Sequence, residues 1–195
     1  MKARIGEAKR KTKETNIVLR LSPDGVGSVK ASTGIPFFDH MLAAFGKHGR
    51  FDLDIKARGD LHVDPHHTVE DVGIVLGQAL TKALGDKAGI ERYGDAAVPM
   101  DEALVQAALD ISGRPGYVQD FSFNRKRIGT FDTDLVDEFW KGFTLHSGVT
   151  LHFRQIRGRN SHHIIEAAFK AFGRSLKAAC VRTGRGGVPS TKGSL

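Results

Sequence analysis

His66-His67-Thr68-Val69-Glu70 returns in the second half of the chain as His162-His163-Ile164-Ile165-Glu166, and this repetition decides the fold. Other residues recur around it at matching offsets. Asp39-His40, Phe45 and His48 face Asp137-Glu138, Phe143 and His146, and Gly77 and Leu80 match Gly173 and Leu176. Self-similarity of this kind marks a duplicated structural unit. The expected class is α+β with an internal duplication. Each half-domain is a small β-sheet with helices on one face, ending in a helix that opens with His-His-x-x-Glu. The halves are placed at residues 1–90 and 91–195, together forming one compact catalytic unit.

Hydrophobic periodicity supports this order. Val69, Val72, Val75, Leu76, Ala79, Leu80 and Ala83 follow helical spacing up to a stop at Gly85, and Ile164, Ile165, Ala168, Phe169, Phe172, Leu176 and Ala179 repeat it. Ile35–Phe45 reads as a shorter helix. Phe51–Arg58 alternates apolar and polar residues and predicts a half-buried strand, with Val149–Phe153 as its counterpart. Ala103–Ile111 fits either helix or strand; its place beside the turn Ser112-Gly113-Arg114-Pro115 favours strand. Asn16–Leu21 and Val26–Ala31 flank Ser22-Pro23-Asp24-Gly25 and predict a β-hairpin.

Composition narrows the function classes. The chain has 195 residues, a net charge of +7 and 40% hydrophobic residues, values of an ordinary globular protein. No stretch approaches the roughly 20 apolar residues of a membrane span. The basic N-terminal segment lacks the apolar core of a secretory signal, and the lone Cys180 suits a reducing compartment, so a cytoplasmic protein is expected. The densest basic cluster is Lys9, Arg10, Lys11 and Lys13, without interleaved aromatics, so a solvated surface is expected there and no nucleic-acid partner.

On a helix, His66 and Glu70 lie one turn apart on the same face and can chelate one ion, whereas His67 points about 100° away. The same holds for His162 with Glu166, and for His163. A reciprocal arrangement follows: one ion on His66, Glu70 and His163, another on His162, Glu166 and His67. His40 and Glu138, on the preceding helices, can each add a ligand. Imidazole mixed with carboxylate suits Mn, Fe, Co or Zn.

Longer ordered motifs carry a resemblance. Gly34-Ile35-Pro36-Phe37-Phe38-Asp39-His40-Met41-Leu42, Gly59-Asp60-Leu61-His62-Val63-Asp64-Pro65 with the histidine pair that follows, Ser112-Gly113-Arg114-Pro115, Gly129-Thr130-Phe131-Asp132 and Pro189-Ser190-Thr191-Lys192-Gly193 closely resemble the imidazoleglycerol-phosphate dehydratases. The likeness runs from about Lys11 to the end of the chain, and is most specific at Asn160-Ser161-His162-His163. It implies a monofunctional hydro-lyase of histidine biosynthesis that converts imidazole glycerol phosphate to imidazole acetol phosphate. It also implies two Mn(2+) ions per active site and a homo-oligomeric 24-mer built from trimers, with sites between subunits.

Residue by residue, the resemblance puts metal binding on His40, His66, His67, Glu70, His162, His163 and Glu166. Phosphate and substrate binding fall on His62, Arg92, Arg114, Lys170, Ser190 and Lys192. The proton-transferring carboxylate falls on Glu14, with Glu70 and Glu166 as catalytic carboxylates at the metal. Where some members carry a further histidine ligand, this chain has Glu138, which can ligate Mn in its place. Metal ions acting as Lewis acid and template, with a positioned carboxylate for the proton, fit the need to remove water where no carbonyl activates the carbon. The cations are expected to converge on the substrate phosphate, and the tail Val188–Leu195 to order only around an anion. A metal-binding shell protein would need neither these cations nor Glu14. A dinuclear metal phosphohydrolase would release phosphate.

Overall fold

The structure is a computed structural model describing residues 3–184, 186–191 and 193. The first half runs β1 (Gly6–Lys11), β2 (Thr15–Ser22), β3 (Val29–Ser32), α1 (Pro36–Gly49), β4 (Asp52–Gly59) and α2 (His66–Leu84). The second runs β5 (Tyr93–Met100), β6 (Ala103–Asp110), β7 (Gly116–Val118), α3 (Leu135–Ser147), β10 (Thr150–Arg157) and α4 (Ser161–Ala179). A two-stranded ribbon, β8 (Arg127–Ile128) with β9 (Phe131–Asp132), is inserted before α3. The sheets have the orders β1-β2-β4-β3 and β5-β6-β10-β7, the same topology twice. The ambiguous segment from Ala103 is strand β6, as its place beside a turn suggested.

One expectation fails. Ser22-Pro23-Asp24-Gly25 does not close a hairpin, because β4 lies between β2 and β3 and pairs antiparallel with the first and parallel with the second. The physical reason lies in Asp52, at the start of β4, whose Oδ1 accepts from the backbone N–H groups of Val26, Gly27 and Ser28. Those bonds satisfy the connection as it crosses β4. The true hairpin is β1–β2, closed by Thr12 N donating to Thr15 O at 2.9 Å.

Each sheet is covered by its own His-His-x-x-Glu helix: α2 lies on β1 and β2, α4 on β5 and β6. The halves then exchange helices, since α1 packs along α4 and α2 along α3. The recurring glycines permit this approach. A Cβ on Gly173 would lie 2.5 Å from Phe45 O, and one on Gly77 would lie 2.6 Å from Phe143 O. The shared core is dominated by a second-half aromatic cluster. Trp140 sits with ring centroids 4.6, 4.8 and 4.7 Å from Phe139, Phe169 and Phe172. Its repeat mate in α1 is the smaller Leu42, also fully buried.

Candidate metal centre and anion cleft

The cross-half helix pairing brings ligand types together. Pro36 starts α1, where its missing N–H costs nothing. Asn160 caps α4 by accepting from His162 N at 3.0 Å, whereas α2 starts after Pro65 without a side-chain cap, Asp64 Oδ1 accepting from His66 N at 2.7 Å. At the α1–α4 contact, His40, His162 and Glu166 have ligand atoms that all lie within 4.8 Å of one another. Both imidazoles aim Nε2 at Glu166 Oε2, His162 at 3.1 Å and His40 at 3.4 Å. The other oxygen, Oε1, takes Lys170 Nζ at 2.7 Å. Burial pushes the Glu166 carboxyl up, but Lys170, His40 and His162 outweigh it and hold the group below its ordinary value. Two convergent imidazole nitrogens and one carboxylate oxygen fit a first-row divalent cation.

The equivalent α2–α3 contact differs. His66 Nε2 lies 3.8 Å from Glu70 Oε2, with both side chains half exposed. Glu138 stands where the first half has His40, and its Oε1 accepts from Lys141 Nζ at 2.8 Å instead of meeting His66. That bond raises the Lys141 pKa, with Glu70 adding to it. One cation therefore neutralises the carboxylate at each contact, from α4 in one case and from α3 in the other.

The second histidines of the two pairs look elsewhere. His67 Nδ1 lies 3.0 Å from Asp60 Oδ2, a contact that raises the His67 pKa, with the Glu14 charge contributing. His163 Nδ1 lies 2.6 Å from Glu102 Oε2. Within one chain, the reciprocal grouping of His163 with His66, or of His67 with His162, is not formed among the described residues.

Glu14 lies in the turn between β1 and β2. Its N–H donates to Thr12 Oγ1 at 3.0 Å, and its carboxylate makes no hydrogen bond among the described residues. The strands flanking it are fixed. Buried Asp71, next to Glu70, accepts from Arg10 Nε at 2.7 Å and from Thr15 Oγ1 at 2.5 Å. The turn is thereby clamped to the helix that carries His66, His67 and Glu70. His62 lies in the exposed Gly59–Pro65 connection before α2.

An open cleft of about 580 Å³ at the end of the second sheet where β5 begins and β6 ends is lined by Arg92, Tyr93, Arg114, Pro189, Ser190 and Thr191. It unites three of the residues expected to bind phosphate. Arg92 holds the buried end of the cleft through two bonds to Asp110 (2.7 and 3.0 Å) and one to Pro189 O (2.8 Å). The Asp110 contact raises its pKa. Arg114 keeps a largely exposed side chain, 4.0 Å from Asp110. Lys170 does not line this cleft; one helical turn beyond Glu166, it pairs with that carboxylate. Lys192 lies outside the described residues. Near the described part of the tail, Gly187 O accepts from Gly89 N and Pro189 O from Arg92.

Glu102, Asp60, Asp71 and Lys141 were not singled out by sequence reasoning. Recognising the β1–β2 hairpin would have exposed Glu102 as the repeat mate of Glu14. Among the described residues, no helix is long and apolar enough to cross a membrane.

Comparison with known proteins agrees with this architecture. A family model described as imidazoleglycerol-phosphate dehydratase matches residues 33–176. A protein of that name from Paraburkholderia xenovorans is 56% identical over 194 residues, covering 98% of this chain and all of its own. One from Aromatoleum aromaticum is also 56% identical with the same coverage. Among solved structures, the Staphylococcus aureus imidazoleglycerol-phosphate dehydratase superposes with a TM-score of 0.83 at 40% identity, over 92% of this chain and 99% of that one. The enzyme from Pyrococcus furiosus gives a TM-score of 0.83 at 39% identity, over 96% and 99%.

Proposed function

Since the chain belongs to the imidazoleglycerol-phosphate dehydratase family and is a hydro-lyase, we propose that it dehydrates imidazole glycerol phosphate in a metal-dependent reaction. The product is imidazole acetol phosphate, an intermediate of histidine biosynthesis. The observation that carries the metal reading is the convergence of His40 Nε2 and His162 Nε2 on Glu166 Oε2.

His40, His162 and Glu166 would hold one divalent ion, with His67 of a second copy as a further ligand. His66 and Glu70 would hold the other, with His163 of a second copy and with Glu138 once it leaves Lys141. The exposure of His66 and Glu70 supports completion by another subunit, in a homo-oligomer for which a 24-mer is the expected form. Mn(2+) is the preferred ion, two per site, and when bound it supplies Lewis acidity and a template for the imidazole ring.

The chain's own groups handle binding and the proton. Arg114 offers a solvent-facing guanidinium to the substrate phosphate, with Ser190 beside it. Arg92 adds charge at the base of the cleft and holds the tail through Pro189. Lys170 keeps Glu166 ionised, which leaves Oε2 as the donor atom. His62 lies on the connection leading to the first histidine pair, where it can face substrate. Glu14, in a turn clamped by Asp71 yet with its own carboxylate unengaged, is placed to take the proton from carbon. A cytoplasmic location suits this role.

A product assay tests the reading. Metal-free protein given imidazole glycerol phosphate should be inactive. Restoring Mn(2+) should produce an enolisable ketone that absorbs in alkali, without release of inorganic phosphate. Phosphate release, or full activity after chelation, would overturn it.

A further inference from the structure

The two hairpins of the duplication can be aligned residue by residue. Thr12-Lys13-Glu14-Thr15 closes β1–β2, and Met100-Asp101-Glu102-Ala103 closes β5–β6 with Met100 paired to Ala103. The following strands, β2 and β6, each pair antiparallel with the strand that leads into the His-His-x-x-Glu helix. Glu14 and Glu102 are therefore the same position in the two halves.

Their surroundings are not the same. Asp101 turns through a left-handed φ of 49°, whereas no residue of the first turn has a positive φ. Glu102 leans over the start of α4. Its Oε1 accepts from the backbone N–H groups of Arg159 at 3.1 Å and Asn160 at 2.8 Å, and its Oε2 sits 2.6 Å from His163 Nδ1. In the first half, the corresponding nitrogen of His67 is met by Asp60, the residue after Gly59. The residue after Gly158 is Arg159, which has no carboxylate to give. Each second histidine thus has a carboxylate at Nδ1, drawn from a different element in each half.

A carboxylate at Nδ1 selects the tautomer with the proton there and leaves the lone pair on Nε2. At His163, Nε2 has the Asn160 amide nitrogen Nδ2 at 3.4 Å, a donor that suits an unprotonated ring nitrogen, and Asp101 Oδ2 at 3.7 Å. We propose that Glu102 is a positioning residue that fixes His163 with its proton on Nδ1, so that Nε2 ligates a divalent cation. Asp60 does the same for His67, and this division leaves Glu14, the duplicate of Glu102, unattached and available for the proton. The proposal rests on His163 being a metal ligand, as argued above.

Glu102→Gln isolates the contact, because the amide oxygen still accepts from Arg159 and Asn160 while the amide nitrogen cannot accept from Nδ1–H. Mn(2+) affinity is read on the full protein by electron paramagnetic resonance of the free ion, with circular dichroism checking that each variant is folded. Glu102→Gln should weaken one class of Mn(2+) site by about 10–100-fold, and Asp60→Asn the other class, while Glu14→Gln leaves both unchanged. Glu102→Gln should add nothing to His163→Ala, which a merely structural role would not predict. At saturating Mn(2+), turnover of Glu102→Gln should recover to within several-fold of the wild type. Wild-type Mn(2+) affinity in Glu102→Gln, beside a loss in His163→Ala, would overturn the positioning role. An unchanged Mn(2+) stoichiometry in His163→Ala would instead remove the ligand reading beneath it. If Glu102→Gln is unfolded, Asp60→Asn combined with His67→Ala decides the matter by the same additivity.

Discussion

The turn at Glu14 and the turn at Glu102 close equivalent hairpins on sheets of the same topology, yet one carboxylate is unengaged and the other is tied by three hydrogen bonds. Those bonds hold the Glu102 pKa at about 2, with the His163 contact the largest cause and the Asn160 and Arg159 amides behind it. A duplicated site can keep its topology while its side chains take different tasks. The helix contacts repeat the lesson. Lys170 on α4 neutralises the ligand-bearing Glu166 of its own helix, whereas at the α2–α3 contact Lys141 pairs with Glu138 on α3 and Glu70 has no such lysine contact among the described residues. What the duplication preserves is the placement of ligand types; what it lets diverge is the group that orients or neutralises each ligand.

The sharpest way to break this comparison is kinetic. Glu14→Gln should lower kcat by about 10²–10⁴-fold, the range for loss of a general acid or base, with full metal content by elemental analysis. Near wild-type turnover would place the two glutamates on an equal footing.

A second test compares the two halves as packing units. Trp140 in α3 and Leu42 in α1 are repeat mates, both at 0% exposure. Trp140→Ala should cost about 3–5 kcal/mol in denaturant unfolding and Leu42→Ala, within the range of about 2–5 kcal/mol for its class, should cost less than Trp140→Ala. Trp140→Phe should cost less than either, since the indole Nε1 is buried without a partner and its loss leaves no bond unmade. Equal losses for the two alanine variants would show that the aromatic cluster is no more central than its aliphatic mate.

The smallest expected effect concerns acid. The first half secures its β2–β3 connection with carboxylates. Asp24 is held at a pKa of about 2, chiefly by the Arg4 hydrogen bond, and Asp52 is lowered by the Ser28 amide first and then by Val26 and Gly27. The matching connection in the second half uses hydroxyls, with Thr150 Oγ1 donating to Arg114 O and Arg114 N donating to Ser112 Oγ. A carboxyl with a depressed folded pKa contributes stability that is complete above its unfolded value near 4 and is lost as pH falls through about 2. Unfolding free energy should therefore decline from pH 4 toward pH 2, and Asp24→Asn should flatten that slope. An unchanged slope in the variant would show that the first-half connection is no more acid-sensitive than the second.

The elements that were legible from sequence are those with a strong local period or a repeated motif. Helices α2 and α4 show both, as does the equivalence of Gly77 with Gly173, whose meaning as a close helix crossing appeared only with the partner helix in place. The Ser22–Gly25 turn misled because turn residues mark a change of direction and do not name the strand that will be paired next. The pairing of Lys170 with Glu166 was legible too, since the two stand one helical turn apart. Glu102 and Asp60 were hidden for another reason. Which carboxylate reaches a histidine Nδ1 depends on a turn dihedral and a loop length, and neither leaves a period in the sequence.

The exchange of helices between halves also bears on how the chain acquires its structure. Beyond its own sheet, α1 packs along α4, and α2 along α3. During synthesis the first sheet can form early with α2 lying on β1 and β2, but the side of α2 that meets α3 and the side of α1 that meets α4 stay uncovered until the second half is made. Most of the stabilising contacts are thus long in sequence separation, which slows folding and exposes sticky intermediates. A fragment ending after α2 would carry a complete sheet and still be a client for chaperones, since the surface that should cover its helices is the other half of the same polypeptide.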